Sequence, residues 1–421
     1  MKLLCLSNGH GEDAIAIAIL RQLQQQPNPP EIAALPIVGE GQAYRAENIP
    51  IVGPVRQMPS GGFIYMDGKQ LWRDVRGGLL GLTLAQLRVA KQWAKEGGKI
   101  LAVGDIVPLF FAWWSGAEYA FVGTAKSDYY LRDEAGWLPR RHWWQHLERW
   151  SGSVYLPWER ALMRSRRCQA VFPRDSLTAE RLQKFGIRTF DAGNPMMDAL
   201  DAKPPKTDSE MEMGRSLAVV LLPGSRPTEA VRNWELMMRA VARFREAFAD
   251  RNLLFLGAIA PTIPLESLQT QLSTYGWQER QDKAIVADEQ AVNFVQNNAT
   301  FVLTQNAFSD CLHRADLALA MAGTATEQFV GLGKPAIAFP GGGPQFTDAF
   351  AEAQRRLLGL SLILVPSPDN VAEVAKRLLQ DPDWLQAIAE NGRRRLGEPG
   401  ASDRIAKCLQ NIGLTSVPLA Q

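Results

Sequence analysis

Two glycine turns in the second half of the chain, each at the point where a buried strand hands over to a helix, restrict its fold more than any other feature. The first is Leu221-Leu222-Pro223-Gly224-Ser225-Arg226-Pro227-Thr228-Glu229, and the second is Met321-Ala322-Gly323-Thr324-Ala325-Thr326-Glu327-Gln328. Small residues at a helix start let backbone N–H groups approach an anion, and the helix dipole adds partial positive charge there. Such a pair suits a nucleotide diphosphate.

Around these turns, short apolar runs alternate with longer helical patterns, the signature of a parallel βαβ sheet covered on both faces. The expected strands are 3–6, 100–103, 120–122, 170–172, 217–222, 253–256, 301–303, 317–320, 336–339 and 362–365, with helices such as 13–25 and 228–249 between them. A chain of 421 residues is too long for one ordinary core and predicts two domains. The polar, proline-rich stretch from Asp201 to Ser209 marks the linker. The expected division is 1–205, 206–390 and a closing pair of helices in 391–421 that packs back on the first domain.

Hydrophobic residues make up 46% of the chain and charged residues 21%, and the formal charge of +2 gives no reason to expect a nucleic-acid partner. Cys5, Cys168, Cys311 and Cys408 are far apart and lack metal-ligand spacing, which predicts reduced thiols in a cytoplasmic compartment. The apolar run after Met1 turns at Asn8-Gly9, too early for a signal peptide. The longest apolar stretch, 101–120, is broken by Asp105, Pro108 and Gly116, so no span across a bilayer is expected.

The first turn of the chain, Ser7-Asn8-Gly9-His10-Gly11-Glu12-Asp13-Ala14, contains G-x-G-x-x-A. Glu31 stands at the distance of a ribose-binding acid but in a proline-rich turn ahead of the next apolar run. His10, Glu12 and Asp13 crowd the loop with titratable groups, awkward for a pyrophosphate and natural for a site that handles a hydroxyl. Asn8, Gly9, Gly11 and Glu12 are therefore expected on the acceptor side of a transfer reaction.

Four segments together resemble lipid-A-disaccharide synthases, inverting glycosyltransferases of the GT-B fold that use a UDP-sugar and a lipid acceptor. They are Leu156-Pro157-Trp158-Glu159, Gly193-Asn194-Pro195-Met196-Met197-Asp198, 221–229 and Gly323-Thr324-Ala325-Thr326-Glu327. The Gly9-His10-Gly11-Glu12-Asp13 loop departs from that family and is closer to the glycine-histidine loops of cell-wall and galactolipid glycosyltransferases. Gly104-Asp105-Ile106-Val107-Pro108 matches only loosely and lacks a second carboxylate. The resemblance implies an α/β GT-B architecture, two Rossmann-like domains with parallel sheets facing across a cleft.

Sugar transfer from UDP needs the leaving diphosphate stabilised, by a divalent metal or by fixed dipoles and a cation. The single D-x-D, Asp381-Pro382-Asp383, reads as a helix cap rather than a metal site, so no metal and no cofactor besides the UDP-sugar donor is expected. Gly224, Ser225 and Arg226 supply a turn and a guanidinium, and Gly323, Thr324, Ala325 and Thr326 supply N–H groups. Glu327 either accepts from the ribose hydroxyls or caps its helix. A third loop, Pro340 to Asp348, offers Gln345, Phe346, Thr347 and Asp348 to the donor sugar, or is a plain glycine-rich turn.

The acceptor hydroxyl needs a general base. Asp105, just past the strand 100–103, and His10 are the candidates, with a helix cap and a loop hydrogen-bonder as their structural alternatives. His142, His146 and His313 have no comparable setting. The stretch 131–167 holds five tryptophans, among them Trp137, Trp143 and Trp144, with eight arginines, including Arg140 and Arg141, against four acids. That mixture suits the cytoplasmic face of a membrane, as does an amphipathic helix around Leu79 to Trp93; ordinary core packing is the other reading of these aromatics.

The expected activity is thus an inverting, metal-independent transfer of a sugar from a UDP donor to a lipid or amphiphilic acceptor by a peripheral membrane enzyme, with a homodimer among the candidate assemblies. A UDP-GlcNAc 2-epimerase-like enzyme and a noncatalytic nucleotide-sugar or lipid binder are the two rivals.

Overall fold

The computed structural model describes residues 1–56, 78–139, 145–200, 216–281, 285–343 and 346–415, and the expected linker lies outside them. The chain divides into two compact units, Met1–Ala199 with Gly397–Gln421, and Leu200–Leu396.

In the first unit, β1 (Lys2–Ser7), β2 (Glu31–Pro36), β3 (Lys99–Gly104) and β4 (Tyr119–Gly123) are joined, past a short hairpin of β5 (Arg132–Asp133) and β6 (Gly136–Trp137), by β7 (Cys168–Phe172). The sheet order is β2-β1-β3-β4-β7, parallel throughout. Its strands are apolar on both faces because both are covered. Leu4 and Leu6 enter one core beside Leu109 and Phe111 of α3 (Ile106–Ser115), and Leu3 and Cys5 enter the other beside Ile17 and Leu20 of α1 (His10–Gln24). The helix α2 (Leu79–Lys95) packs beside α3, and α3 beside α4 (Pro157–Met163); α5 (Ser176–Lys184) follows β7.

The second unit is an eight-stranded sheet of β8 (Leu217–Leu222), β9 (Leu253–Ala258), β10 (Gln278–Arg280), β11 (Val292–Gln296), β12 (Ala299–Thr304), β13 (Leu317–Ala320), β14 (Ala336–Ala338) and β15 (Leu362–Leu364). Its order is β10-β11-β12-β9-β8-β13-β14-β15, and only the β10–β11 and β11–β12 pairings are antiparallel. From β8 the chain builds outward through β9 to β12, then returns to start the other half at β13. The reversal point, where ligands of open parallel sheets bind, therefore lies between β8 and β13. The two glycine turns leave these two strands, the first into α6 (Pro227–Ala247) and the second into α7 (Thr324–Gly331). After β14 the chain enters α8 (Asp348–Leu358), and the unit closes with α9 (Pro382–Leu396). In the first unit the same reversal falls between β1 and β3.

Three strands of these sheets lie outside the expected set. β2 is the edge strand of the sheet and ends in Pro36, a position at the end of an edge strand where the missing N–H is tolerated; its outer side is bridged only at Ala34, to the segment at Ile51. Glu31 opens β2, exposed, at the amino end of the strand; it is not in the turn expected of it and lies away from the carboxyl ends where a ribose would sit. The other two are β10 and β11. β11 and β12 form a hairpin turning at Asn297-Asn298, with Asn297 left-handed at φ 53°.

The chain's return to the first unit has a specific clasp. Asp198, the last residue of the Gly193 to Asp198 segment, caps α10 (Ala401–Asn411): its carboxylate accepts the N–H groups of Gly400 at 2.5 Å, Ser402 at 2.6 Å and Ala401 at 3.2 Å. Arg404 donates to Ala192 O at 2.9 Å, and Ile405, Ala406 and Leu409 enter the core against α1. Among the described residues no helix is long and apolar enough to cross a membrane.

Candidate functional site

At the carboxyl end of the second sheet, three loops interlock. Gly224 is left-handed at φ 100°, and a β-carbon there would stand 3.3 Å from Met321 O, so the first and second glycine turns lie against each other. The third loop joins them through α6. Glu229 Oε1 accepts the Phe346 N–H at 2.7 Å, and Asn233 Nδ2 donates to Pro223 O at 2.9 Å. Gly341 N–H closes the third loop on Phe346 O at 3.1 Å. Thr262 Oγ1, from the loop after β9, donates to Ser225 O at 2.9 Å and fixes the outer side of the first turn.

The helices leaving the first two turns differ from the helix leaving the third. Arg226 at the start of α6 and Gly323 at the start of α7 do not cap their own helices through a side chain, whereas Thr347 Oγ1 caps α8 by accepting Phe350 N–H. Helix starts at a sheet's reversal point are suited to an anion. Ser225, Arg226 and Thr324 are exposed there, with Ala325 partly so. Thr326 is buried and spends its hydroxyl on Ala322 O at 2.7 Å. Glu327 is buried inside α7, where Gln354 Nε2 donates to its Oε1 at 3.3 Å. Phe346 is buried against the Phe350 ring, and Asp348 is exposed in the first turn of α8. Gln345 lies outside the described residues. Asp381 Oδ1 accepts Trp384 N–H at 2.9 Å and so caps α9.

The carboxyl end of the first sheet is built differently. Asp105 follows β3 and caps α3, its Oδ1 accepting Val107 N–H at 2.8 Å and Asn8 Nδ2–H at 2.8 Å. Both bonds go to Oδ1, leaving Oδ2 for other chemistry. Asn8 needs the space in front of Gly104, which is at φ 135°: a β-carbon there would fall 2.1 Å from Asn8 Oδ1. Burial pushes the Asp105 carboxyl above its ordinary value, while Val107 N–H, Asn8 and the Lys126 cation pull it down. Glu12, in the first turn of α1, is raised chiefly by burial, with the Asp105 charge adding to it. Thr124 Oγ1, after β4, reaches Glu12 Oε1 at 3.4 Å. Behind them, Asp13 is buried and accepts from Ser7 Oγ at 2.5 Å, and Ser7 meets the Tyr44 hydroxyl at 2.7 Å; burial raises Asp13 to about 6. Helix α1 starts at His10, so this residue opens the helix, exposed, rather than standing within a turn as expected. Gly9 precedes it at the N-cap position, with exposed Gly11 just inside α1.

Lys126 and Glu159 complete this end, and neither is among the expected site residues. Lys126 Nζ, in the loop after β4, bonds Glu159 Oε2 at 2.7 Å, and Glu159 also accepts Leu156 N–H at 2.9 Å. The signal was present in the Leu156-Pro157-Trp158-Glu159 segment but gave no partner for its acid. Glu229 was equally hidden, since it acts on a loop distant in sequence, while Asn233 reaches back to the turn directly before its own helix.

The aromatic surface divides. Trp150 is 75% exposed, Trp158 54% and Trp114 50%, and Leu80, Leu84 and Phe110 are also exposed. Trp137 carries Arg132 and Arg149 over its ring at 3.7 and 4.8 Å, while Leu87, Val89 and Trp93 of α2 pack on the core. Trp143, Trp144, Arg140 and Arg141 lie outside the described residues.

No family model matches the chain, and no curated protein matches it in sequence. Solved structures do. A UDP-GlcNAc 2-epimerase from Neisseria meningitidis bound to UDP-GlcNAc is 14% identical with a TM-score of 0.57, covering 98% of this chain and 100% of its own. MurG from Acinetobacter baumannii is 16% identical with a TM-score of 0.54, covering 97% and 99%. CalG4, a calicheamicin glycosyltransferase, is 13% identical with a TM-score of 0.58, covering 98% of both chains. The chain has the GT-B fold.

Proposed function

We propose that this chain is an inverting glycosyltransferase, related to lipid-A-disaccharide synthases, that moves a sugar from a UDP-sugar to a lipid or amphiphilic acceptor at a membrane surface. The observation that carries this reading is the interlock of the first two glycine turns between β8 and β13 at the starts of α6 and α7. Their N–H groups and Arg226 take the diphosphate, stabilising the charge that develops as the sugar–phosphate bond breaks. The solved relative that holds UDP-GlcNAc supports a UDP-sugar as the donor. Asp105 acts as general base, receiving the acceptor hydroxyl's proton at Oδ2 while Asn8 and Val107 N–H hold Oδ1. Glu12, beside it, contacts the acceptor.

The exposed Trp114, Trp150, Trp158, Phe110, Leu80 and Leu84, with exposed Arg88, Lys91, Arg164 and Arg166 on the same unit, favour an amphiphilic acceptor at a lipid surface over a soluble one. The 2-epimerase relative keeps a second reading in view, conversion of the UDP-sugar with no acceptor. Incubating the protein with labelled UDP-sugars, with and without a membrane lipid extract, separates them. The transferase reading predicts label in the lipid phase only when extract is present; an isomerised nucleotide sugar without extract, or no conversion in either arm, defeats it.

A further inference from the structure

Tyr155 is packed as a core residue yet carries a hydroxyl that the core does not use. It is 3% exposed, in the cluster that holds Phe121 and Leu131, and its hydroxyl has no hydrogen-bond partner among the described residues. Its backbone is fixed: Tyr155 N–H donates to Ser153 Oγ at 3.2 Å, and Ser153 Oγ donates to Asp128 Oδ2 at 3.0 Å. A buried hydroxyl left unpaired costs stability, and phenylalanine would pack the same ring without that cost. The hydroxyl lies against Gly123, the last residue of β4, where a β-carbon would overlap it.

Asn8 repeats this arrangement at the end of β3. Its Nδ2 is spent on Asp105 Oδ1, but its Oδ1, lying over Gly104, is buried with no partner among the described residues. Gly104 and Gly123 are register partners at the carboxyl ends of β3 and β4, and neighbouring strands run about 4.8 Å apart. Two residues earlier, Ala102 and Phe121 enter the same core as Tyr155, so strand alternation turns both glycines to that face. The two bare strand ends thus hold an unpaired donor and an unpaired acceptor on one face, next to Asp105.

We propose that the Tyr155 hydroxyl and Asn8 Oδ1 form a subsite for a second hydroxyl of the acceptor, so that the acceptor presents two neighbouring hydroxyls at its reacting end. The inference rests on the reading of Asp105 as the base. The reacting hydroxyl gives its proton to Asp105 Oδ2 and needs a lone pair free for the bond to the donor sugar, so it is not the group that this pair holds. A hydroxyl beside it fits, because one O–H both donates, here to Asn8 Oδ1, and accepts, here from Tyr155. An acceptor with a single hydroxyl leaves both protein groups desolvated and unpaired, which is how a polar site rejects an analogue lacking one O–H. The glycines matter as much as the polar groups, since a side chain at 104 or 123 would collide with Asn8 or Tyr155.

The test uses the full chain and two small probes: cyclohexane-1,2-diol, cis and trans forms separately, and cyclohexanol, which differs by one hydroxyl. Ligand-observed NMR titrations give each dissociation constant. At least one diol form is expected to bind about fivefold more tightly than cyclohexanol, and Tyr155→Phe and Asn8→Ala each to cut that preference to about twofold or less. Tyr155→Phe should melt at or above the wild-type temperature, because the oxygen it removes makes no bond in the folded chain. Gly123→Ala gives an independent reading: Gly123 is not left-handed, and the added β-carbon takes the hydroxyl's place, so the preference should vanish. Equal binding of diols and cyclohexanol, a preference that survives Tyr155→Phe, or a lowered melting temperature in that variant overturns the proposal. The titration needs neither donor nor turnover. A chain that transfers nothing to lipid can still prefer the diol, and a transferase that treats the probes alike keeps its function without this subsite, so the two failures are distinguishable.

Discussion

The two sheets have the same kind of reversal point and furnish it in opposite ways. Between β8 and β13 the loops contribute glycines, hydroxyls, an exposed arginine and two helix starts. Between β1 and β3 they contribute Glu12, Asp13 and Asp105, all raised by burial, with Asn8 donating to Asp105. A phosphate would be attracted by the first set and repelled by the carboxylates of the second. On the proposed reading, one topology yields an anion site or a proton-handling site, depending on whether the residues after the strand remove side chains or add acids.

The sharpest way to break this contrast is Asp105→Asn. The variant keeps the side-chain oxygen that caps α3 and loses the base, so turnover should fall by roughly a hundred- to ten-thousandfold while UDP affinity is unchanged. Steady-state rates with calorimetric UDP titration check both halves. A parallel loss of UDP affinity would erase the division of labour between the two ends.

A smaller effect concerns stability. Asp13 has a folded-state value of about 6, above the ~3.9 of an unfolded aspartate, so the folded chain holds an extra proton between those limits. Stability should therefore drop as pH rises through about 4 to 6, by at most roughly 3 kcal/mol. Asp13→Asn, whose amide oxygen still accepts from Ser7, should flatten that dependence and raise the melting temperature at pH 7 more than at pH 4. Melting curves across that range test it; an unchanged pH slope would mean that Asp13 is not the group responsible.

Much of the fold was legible because buried parallel strands are continuous apolar runs: 217–222 and 317–320 match β8 and β13 residue for residue. β2 was not, since its alanines and terminal Pro36 carry little strand signal and only its edge position tolerates them. The glycine turns were readable as local devices, and Asp105 as a residue beyond a strand end. What holds them was not readable. Glu229 reaches a residue 117 positions away and Lys126 one 33 away, and periodicity carries no record of such partners. The Gly193 to Asp198 segment shows the complementary limit. Its residues stood out beside the linker as part of a family resemblance, yet its acid caps α10 across 202 residues of sequence.

The smallest expected effect tests the anion-seeking end. Arg226→Ala removes the exposed guanidinium but leaves Gly224, Gly323 and both helix starts in place. A charge-assisted hydrogen bond contributes about 1.5–3 kcal/mol, so UDP binding should weaken by about ten- to a hundredfold rather than vanish. The loss should also shrink as salt rises, because an exposed cation is screened while N–H groups pointing at a bound phosphate are not. Calorimetric titration of UDP at two ionic strengths measures both features. An affinity indifferent to Arg226 at low salt would leave the backbone N–H groups as sole holders of the diphosphate, and the contrast between the two reversal points would then rest on the carboxylates of the first unit alone.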